Sequence, residues 1–263
     1  MKIRNIFILL LPGIIMMQGS HWLHAQSLTL RGHSHNDYKR ERPFFSAWEN
    51  RLGSIEADIW AVDSVLYVAH DREEVTPGIT LWSLYLNPVI ELYTANHGKA
   101  WSEDNGSFQL LIDLKSPVVP TLDLLVEVLL PYPQVFDRDI NPGAVEIVIS
   151  GSRPAPDDFE KYPEFIRFDG NIGETYSLQQ LERISLLSAS FSDFSNWNGE
   201  GALPLADRRK LQRIVDETHQ LGKKVRFWGA PDTENAWAQF MDLGIDFINT
   251  DKPAQFAAFC FKK

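Results

Sequence analysis

The sequence predicts an α/β fold around a mostly parallel sheet, and two observations carry that expectation. Short β-rich runs recur along the whole 263-residue length, and helical patterns stand between many of them. No low-complexity tract, internal repeat or linker interrupts this alternation, so one domain is expected over residues 26–263.

The first residues read differently. Lys2 and Arg4 precede an apolar run from Ile6 to Met17, and small and polar residues follow it, ending in Leu23-His24-Ala25-Gln26. That is the layout of a secretory signal peptide over residues 1–25, with a cut expected after Ala25, and the run is too short to span a bilayer. Export to the periplasm or beyond is the expected localisation. Losing Lys2 and Arg4 would take the net charge from −10 to −12. So acidic a chain is a poor match for DNA or RNA, which bind through clustered Lys and Arg. It also lacks a general attraction to anionic membranes, leaving room only for transient contact. Cys260 is the sole cysteine, so no intrachain disulfide forms, and a buried thiol is expected. The pattern says nothing of oligomeric state.

Strands are expected at Leu28–His33, Ser54–Trp60, Leu66–His70, Phe108–Lys115, Val145–Ser150, Ile166–Asp169, Leu186–Ser190, Lys224–Trp228 and Asp246–Thr250. Helices are expected at Pro43–Arg51, Leu81–Leu92, Pro120–Leu130, Leu203–Leu221 and Thr233–Leu243. In Leu203–Leu221 the residues Leu211, Ile214, Val215 and Thr218 follow the spacing of one helix face, and Gly222 supplies the stop. The alternation fits either a barrel or a doubly wound sheet. Nine strands are one too many for a plain eightfold barrel. Only five residues separate Trp60 from Leu66, too few for a parallel crossover. These two strands are therefore expected to form an antiparallel hairpin turning around Asp63, with Glu56 across from His70 and Asp58 across from Val68.

Three clusters carry chemistry. Glu56 and Asp58 lie two apart on a strand and face the same way. Like charges side by side call for something positive nearby, and hard oxygen donors suit Mg²⁺ or Ca²⁺. Asp113 and Lys115 share a face at the end of the apolar strand Leu111-Ile112, where barrel enzymes place working groups. The run Arg31-Gly32-His33-Ser34-His35-Asn36-Asp37-Tyr38 concentrates two histidines with Asn and Asp after a strand. His70-Asp71 ends another apolar strand. No His-Glu-x-x-His helix is present, which makes zinc the weaker idea. Arg153, Arg167 and Asp169 are further polar residues at strand ends. The apolar stretch Leu81–Leu86 is read as a helix packing one face, with a lipid-facing loop as the alternative.

Taken in order, Arg31-Gly32-His33 with Asn36, Glu56-x-Asp58, Ala69-His70-Asp71 and Ile112-Asp113-Leu114-Lys115 resemble the phosphatidylinositol phospholipase C-like phosphodiesterase superfamily. That group includes glycerophosphodiester phosphodiesterases and sphingomyelinase D-type phospholipases. His33-Ser34-His35-Asn36-Asp37-Tyr38 is similar to one branch of it, as are Arg226–Pro231 and Ile248–Pro253. The resemblance implies a TIM-type (β/α)₈ barrel, with the hairpin at its C-terminal mouth, and one divalent cation, Mg²⁺ or Ca²⁺. It implies that Glu56, Asp58 and Asp113 hold the metal and that His33 and His70 are the acid–base pair. Lys115 would lie against the phosphate, with His35, Asn36 and Trp228 as further substrate contacts. The substrate would be a small-molecule or lipid phosphodiester of the glycerol or inositol type; the alternatives are a sphingomyelinase D-like lyase that leaves a cyclic phosphate and a non-catalytic binding protein on the same barrel. The His-Arg-Gly triplet usual in glycerophosphodiesterases is replaced here by Gly32-His33-Ser34, and the Pro-Glu-Asn segment that follows it there is absent.

Overall fold

The computed structural model describes residues 27–102 and 106–262. The expected signal peptide, residues 1–25, lies outside the described residues. Nine strands form one sheet: β1 Gly32–Ser34, β2 Ser54–Val62, β3 Val65–Val68, β4 Gln109–Leu114, β5 Glu146–Gly151, β6 Ile166–Asn171, β7 Ile184–Ser190, β8 Lys224–Trp228 and β9 Phe247–Thr250. Because β1 pairs in parallel with both β2 and β9, eight parallel strands close on themselves. Helices follow most of the strands on the outside. This is a TIM-type barrel, and β3 is the ninth strand, antiparallel to β2 and outside the closed ring.

Most expected elements fall within a few residues of their places. The helix Leu205–Gln220 buries Leu211, Val215 and Thr218, with Ile214 partly covered, and Gly222 takes the positive φ of 69° that ends it. Thr233 caps the helix Glu234–Leu243 by accepting from the Ala236 amide. The apolar stretch Leu81–Leu86 forms a π-helical turn, Trp82–Leu86, that runs into the helix Asn87–Ala95. Leu81, Tyr85 and Leu86 are buried there, while Trp82 stays exposed. Cys260 is buried in the core.

Two expectations need correction. The strand expected at Leu28–His33 is a helical turn over residues 27–29 followed by the short strand β1. Arg31 breaks the run: its amide bonds back to the Leu28 carbonyl, and its guanidinium donates to the carbonyls of Met241 and Ile245. The β2–β3 hairpin is shifted by one residue. Ile59 faces Val68 and Val62 faces Val65, because the turn uses two residues, Asp63 and Ser64, at φ 48° and 62°. Paired positive φ values are the two-residue turn whose twist matches antiparallel strands. Glu56 therefore does not face His70, and the Ala69 amide bonds to the Asp58 carbonyl instead.

The interior of the barrel decides where chemistry can occur. Leu111, Val148, Leu186 and Phe247 form their own buried cluster, separate from the larger core. Two positions further along those strands, on the same face, stand Asp113, Ser150, Ser188 and Asn249. The apolar layer thus plugs the ring from below, and the polar layer above it opens toward the C-terminal ends of the strands.

Candidate active site

Above that plug lies a cavity of about 470 Å³, within the range of ordinary ligand sites. His35, Glu56, Asp58, His70, Asp113 and Lys115 line one side, and Arg153, Asp169, Arg226 and Trp228 contribute to the rest. Glu56, Asp58 and Asp113 each bring a carboxylate oxygen to within 4.8 Å of the others. Their adjacency follows from strand order, since Asp58 of β2 is in register with Asp113 of β4. Three hard oxygen donors converging on one point fit a Mg²⁺- or Ca²⁺-sized cation. Gly151 makes room for the third: its φ is 68°, and a Cβ there would stand 2.0 Å from the Asp113 carboxylate.

Each acid is held differently. Glu56 Oε2 accepts from His33 Nε2 at 2.9 Å and from the Arg226 guanidinium. Burial alone would push the Glu56 carboxyl up, but Arg226 and the His33 hydrogen bond hold it well below the usual carboxylate range. Asp58 Oδ2 accepts from Tyr38 OH and His70 Nδ1, both at 2.8 Å. Lys115 Nζ lies 3.4 Å from Asp58 and 3.3 Å from Asp113. Burial, then the negative charges of Glu56 and Asp58, push the Asp113 carboxyl up to about 6 against the pull of Lys115.

The two histidines of the His33-Ser34-His35 run part company. His33 is fully buried, and both ring nitrogens are used, Nε2 by Glu56 and Nδ1 by the Ser54 hydroxyl at 2.8 Å. Burial and the Arg226 charge lower its pKa to about 4, so at neutral pH the ring is uncharged. Nε2–H donates to Glu56, and Ser54 donates to Nδ1 while accepting from Gln109. His33 is not part of the cavity wall; it supports Glu56. His35 is on the wall, its Nδ1 lying 3.1 Å from Asp251 Oδ1. Burial would lower the His35 pKa, but the Asp251 hydrogen bond and the Glu56 and Asp251 charges raise it overall. Alternation explains the split, because His33 and His35 point inward one layer apart while Ser34 points outward to Asp37.

The remaining expected residues divide in the same way. Lys115 and Trp228 line the cavity, and Trp228 is 48% exposed. Asn36 adopts a left-handed conformation and its amide reaches the His35 ring and Asp251 rather than the cavity. Asp37 is buried, accepting from Ser34, the Phe44 amide and Tyr85, and so ties the β1 loop to the core. Asp169 lies in the cavity wall, accepting from the Ser188 and Ser150 hydroxyls. Arg167 is bound to the Glu182 carbonyl and lies outside the cavity. Arg226, Tyr38 and Asp251 were not singled out as working residues from sequence. Arg226 carried a readable signal, being two positions before Trp228 on one strand face. Tyr38 and Asp251 meet their partners 20 and 216 positions away, which no local pattern reports.

An eightfold barrel whose C-terminal mouth gathers three carboxylates, a lysine and two carboxylate-bound histidines has the groups that could hold a divalent cation and move protons beside it. Comparison with known proteins makes this specific. Residues 23–155 match the AIM6-like phosphodiesterase domain, and the chain belongs to that family. Residues 224–254 match the glycerophosphoryl diester phosphodiesterase family. Among relatives, the Altered inheritance of mitochondria protein 6 of Lachancea thermotolerans is 28% identical, over 83% of this chain and 63% of that protein. The homolog from Arthroderma benhamiae is 24% identical, over 83% of this chain and 80% of its own length. The chain thus spans under two thirds of the first of these relatives. The crystal structure of glycerophosphodiester phosphodiesterase from Agrobacterium tumefaciens is similar with a TM-score of 0.47 and 15% identity, covering 87% of this chain and 99% of that one.

Proposed function

We propose that this chain hydrolyses phosphodiesters with the aid of one divalent cation, using His35 and His70 as the acid–base pair. The observation that carries the reading is a shared arrangement of the two rings. Each lines the same cavity, and each has Nδ1 beside a carboxylate, Asp58 for His70 and Asp251 for His35, whose Nδ1 also meets the Asn36 amide at 2.9 Å. Nδ1 fixed in this way leaves Nε2 as the nitrogen that exchanges protons.

A cation held by Glu56, Asp58 and Asp113 would neutralise non-bridging phosphate oxygens and the charge that builds up on them. Lys115, between Asp58 and Asp113, adds a fixed positive charge beside the same oxygens. His70 takes a proton from the attacking water or from a neighbouring substrate hydroxyl. The new P–O bond forms as the bond to the departing alcohol breaks. His35, whose protonated form Asp251 favours, gives its Nε2 proton to that leaving oxygen. Glu56 stays ionised because Arg226 and His33 hold it so, and Tyr38 keeps Asp58 in place. The expected role of His33 as acid or base passes in this reading to His35, two positions on.

The test is turnover of bis-(p-nitrophenyl) phosphate and of glycerophosphodiesters, with EDTA and then with Mg²⁺ or Ca²⁺ restored. Activity abolished by chelation and recovered with metal supports the reading. A folded protein without activity under either metal would overturn it. Phosphorus NMR of the products distinguishes attack by water, which leaves a monoester, from attack by a substrate hydroxyl, which leaves a cyclic phosphate.

A further inference from the structure

Three cations line the cavity, and they are not equivalent. Arg226, at the floor, is 3% exposed and bound to Glu56 and Asn249, with Asp169 at 4.0 Å. Lys115 is shared between Asp58 and Asp113. Arg153 is half-buried, and among the described residues its guanidinium has neither a hydrogen bond nor an ion pair. Its backbone, by contrast, is pinned, with the Arg153 amide bonded to the Gly151 carbonyl and the Ser152 amide to Leu114. The side chain is felt by Asp169, Glu174 and Tyr176, on β6 and the loop after it. It therefore sits on the β5–β6 side of the mouth. The carboxylate triad and the two histidines lie on the β1–β2–β4 side.

We propose that Arg153 is an anion subsite for one arm of the substrate. It would select phosphodiesters whose alcohol on that side carries a second anionic group, a carboxylate or a phosphate monoester. This rests on the phosphodiesterase reading of the same cavity. Arg226 and Lys115 are committed to carboxylates at the reaction centre, whereas Arg153 presents a planar fork of donors held on an anchored loop. Such a fork binds carboxylate or phosphate oxygens in pairs. Trp228, half-exposed in the same cavity, offers a flat face to the carbon skeleton of that arm.

The experiment compares wild type, Arg153→Ala and Arg153→Lys on three glycerophosphodiesters. One has a phosphorylated polyol as its alcohol, one has serine, and one has ethanolamine, which brings no second anion. The proposal expects Arg153→Ala to raise KM roughly 10- to 100-fold for the first two, with kcat little changed. Arg153→Lys should recover part of that loss, and the ethanolamine diester should be almost unaffected. Whichever anionic arm responds more names the preferred group. A uniform loss on all three diesters would mean that Arg153 grips the reacting phosphate, and would overturn the proposal. So would no change on any of them. If wild type turns over none of the three, the phosphodiesterase reading fails separately. Titration of the protein in EDTA with glycerol phosphate then decides the subsite, which stands if binding is seen and is lost in Arg153→Ala. Equal binding by both proteins, or none by wild type, overturns it.

Discussion

At the floor of the cavity every charged group is already answered. Glu56 meets Arg226 and His33, Arg226 also meets Asn249, and His33 spends both nitrogens on Glu56 and Ser54. At the rim, His70 is held through Nδ1 by Asp58, and His35 through Nδ1 by Asp251 and the Asn36 amide, and both rings line the cavity. His33 and His35 stand at the two levels only two residues apart, while His70 comes from the segment after β3. The difference shows that a histidine in a recognisable motif gains its role from its free valence. A closed network sets geometry, and a half-satisfied group at a solvent-filled mouth is available to move protons.

The sharpest way to break this comparison is to exchange the fates of the histidines. Replacing His35 or His70 by Ala is expected to lower kcat by about 10²- to 10⁴-fold while leaving the urea unfolding midpoint close to wild type. His33→Ala should instead shift that midpoint, costing about 1–3 kcal/mol because Ser54 and Glu56 lose a buried partner. If His33→Ala unfolds like wild type and is inactive, the ring acts in the chemistry and the assignment to His35 fails.

Next in size is the floor itself. Arg226→Met leaves Glu56 buried without its counter-charge, and a loss of about 3–5 kcal/mol in unfolding free energy is expected. An unchanged stability would mean that Glu56 takes up a proton at little cost, and the picture of a fixed ionised ligand would go with it.

Metal affinity sharpens the contrast between the acids. Burial and its acidic neighbours push Asp113 up to about 6, whereas Glu56 stays ionised far below that. A proton on Asp113 competes with the cation, so affinity should be steady above pH 7 and weaken as pH falls through 6. At pH 5 it should be about tenfold lower, as measured by calorimetric titration of Mg²⁺ or Ca²⁺. Asp113→Asn should remove this step along with most of the binding.

The smallest expected effect tests the support of His35. Asp251→Asn removes the carboxylate that raises the His35 pKa. The high-pH limb of the kcat/KM profile, where the acid loses its proton, should move to lower pH, with a loss of about tenfold or less at neutral pH. A profile that keeps its limb would detach His35 from proton delivery.

Much of this protein was legible in advance for a simple reason. Glu56-x-Asp58 and Asp113-x-Lys115 report their own alternation, which puts each pair on one face of its strand. The helix Leu205–Gln220 and its stop at Gly222 follow from periodicity and one positive φ. The hairpin was legible as a pairing but not in register. A one-residue shift depends on how many residues the turn consumes, and Asp63 and Ser64 both entered it. Lining polarity at Ser150 and Ser188 left no trace in composition, since each looks like an ordinary strand residue until the ring closes, whereas Asp169 was visible as a polar strand end.

By itself the sequence determined the alternating α/β order and the shared faces of Glu56 with Asp58 and of Asp113 with Lys115, because these depend on residues close along the chain and on strand geometry. Only the tertiary structure decided which of His33 and His35 faces the cavity, that Arg226 belongs to Glu56, and that, among the described residues, the Arg153 guanidinium has neither a hydrogen bond nor an ion pair. Those outcomes depend on which strand lies beside which and how far each one projects. Contacts such as Arg226 with Glu56, 170 positions apart, exist only once β1 closes against β9.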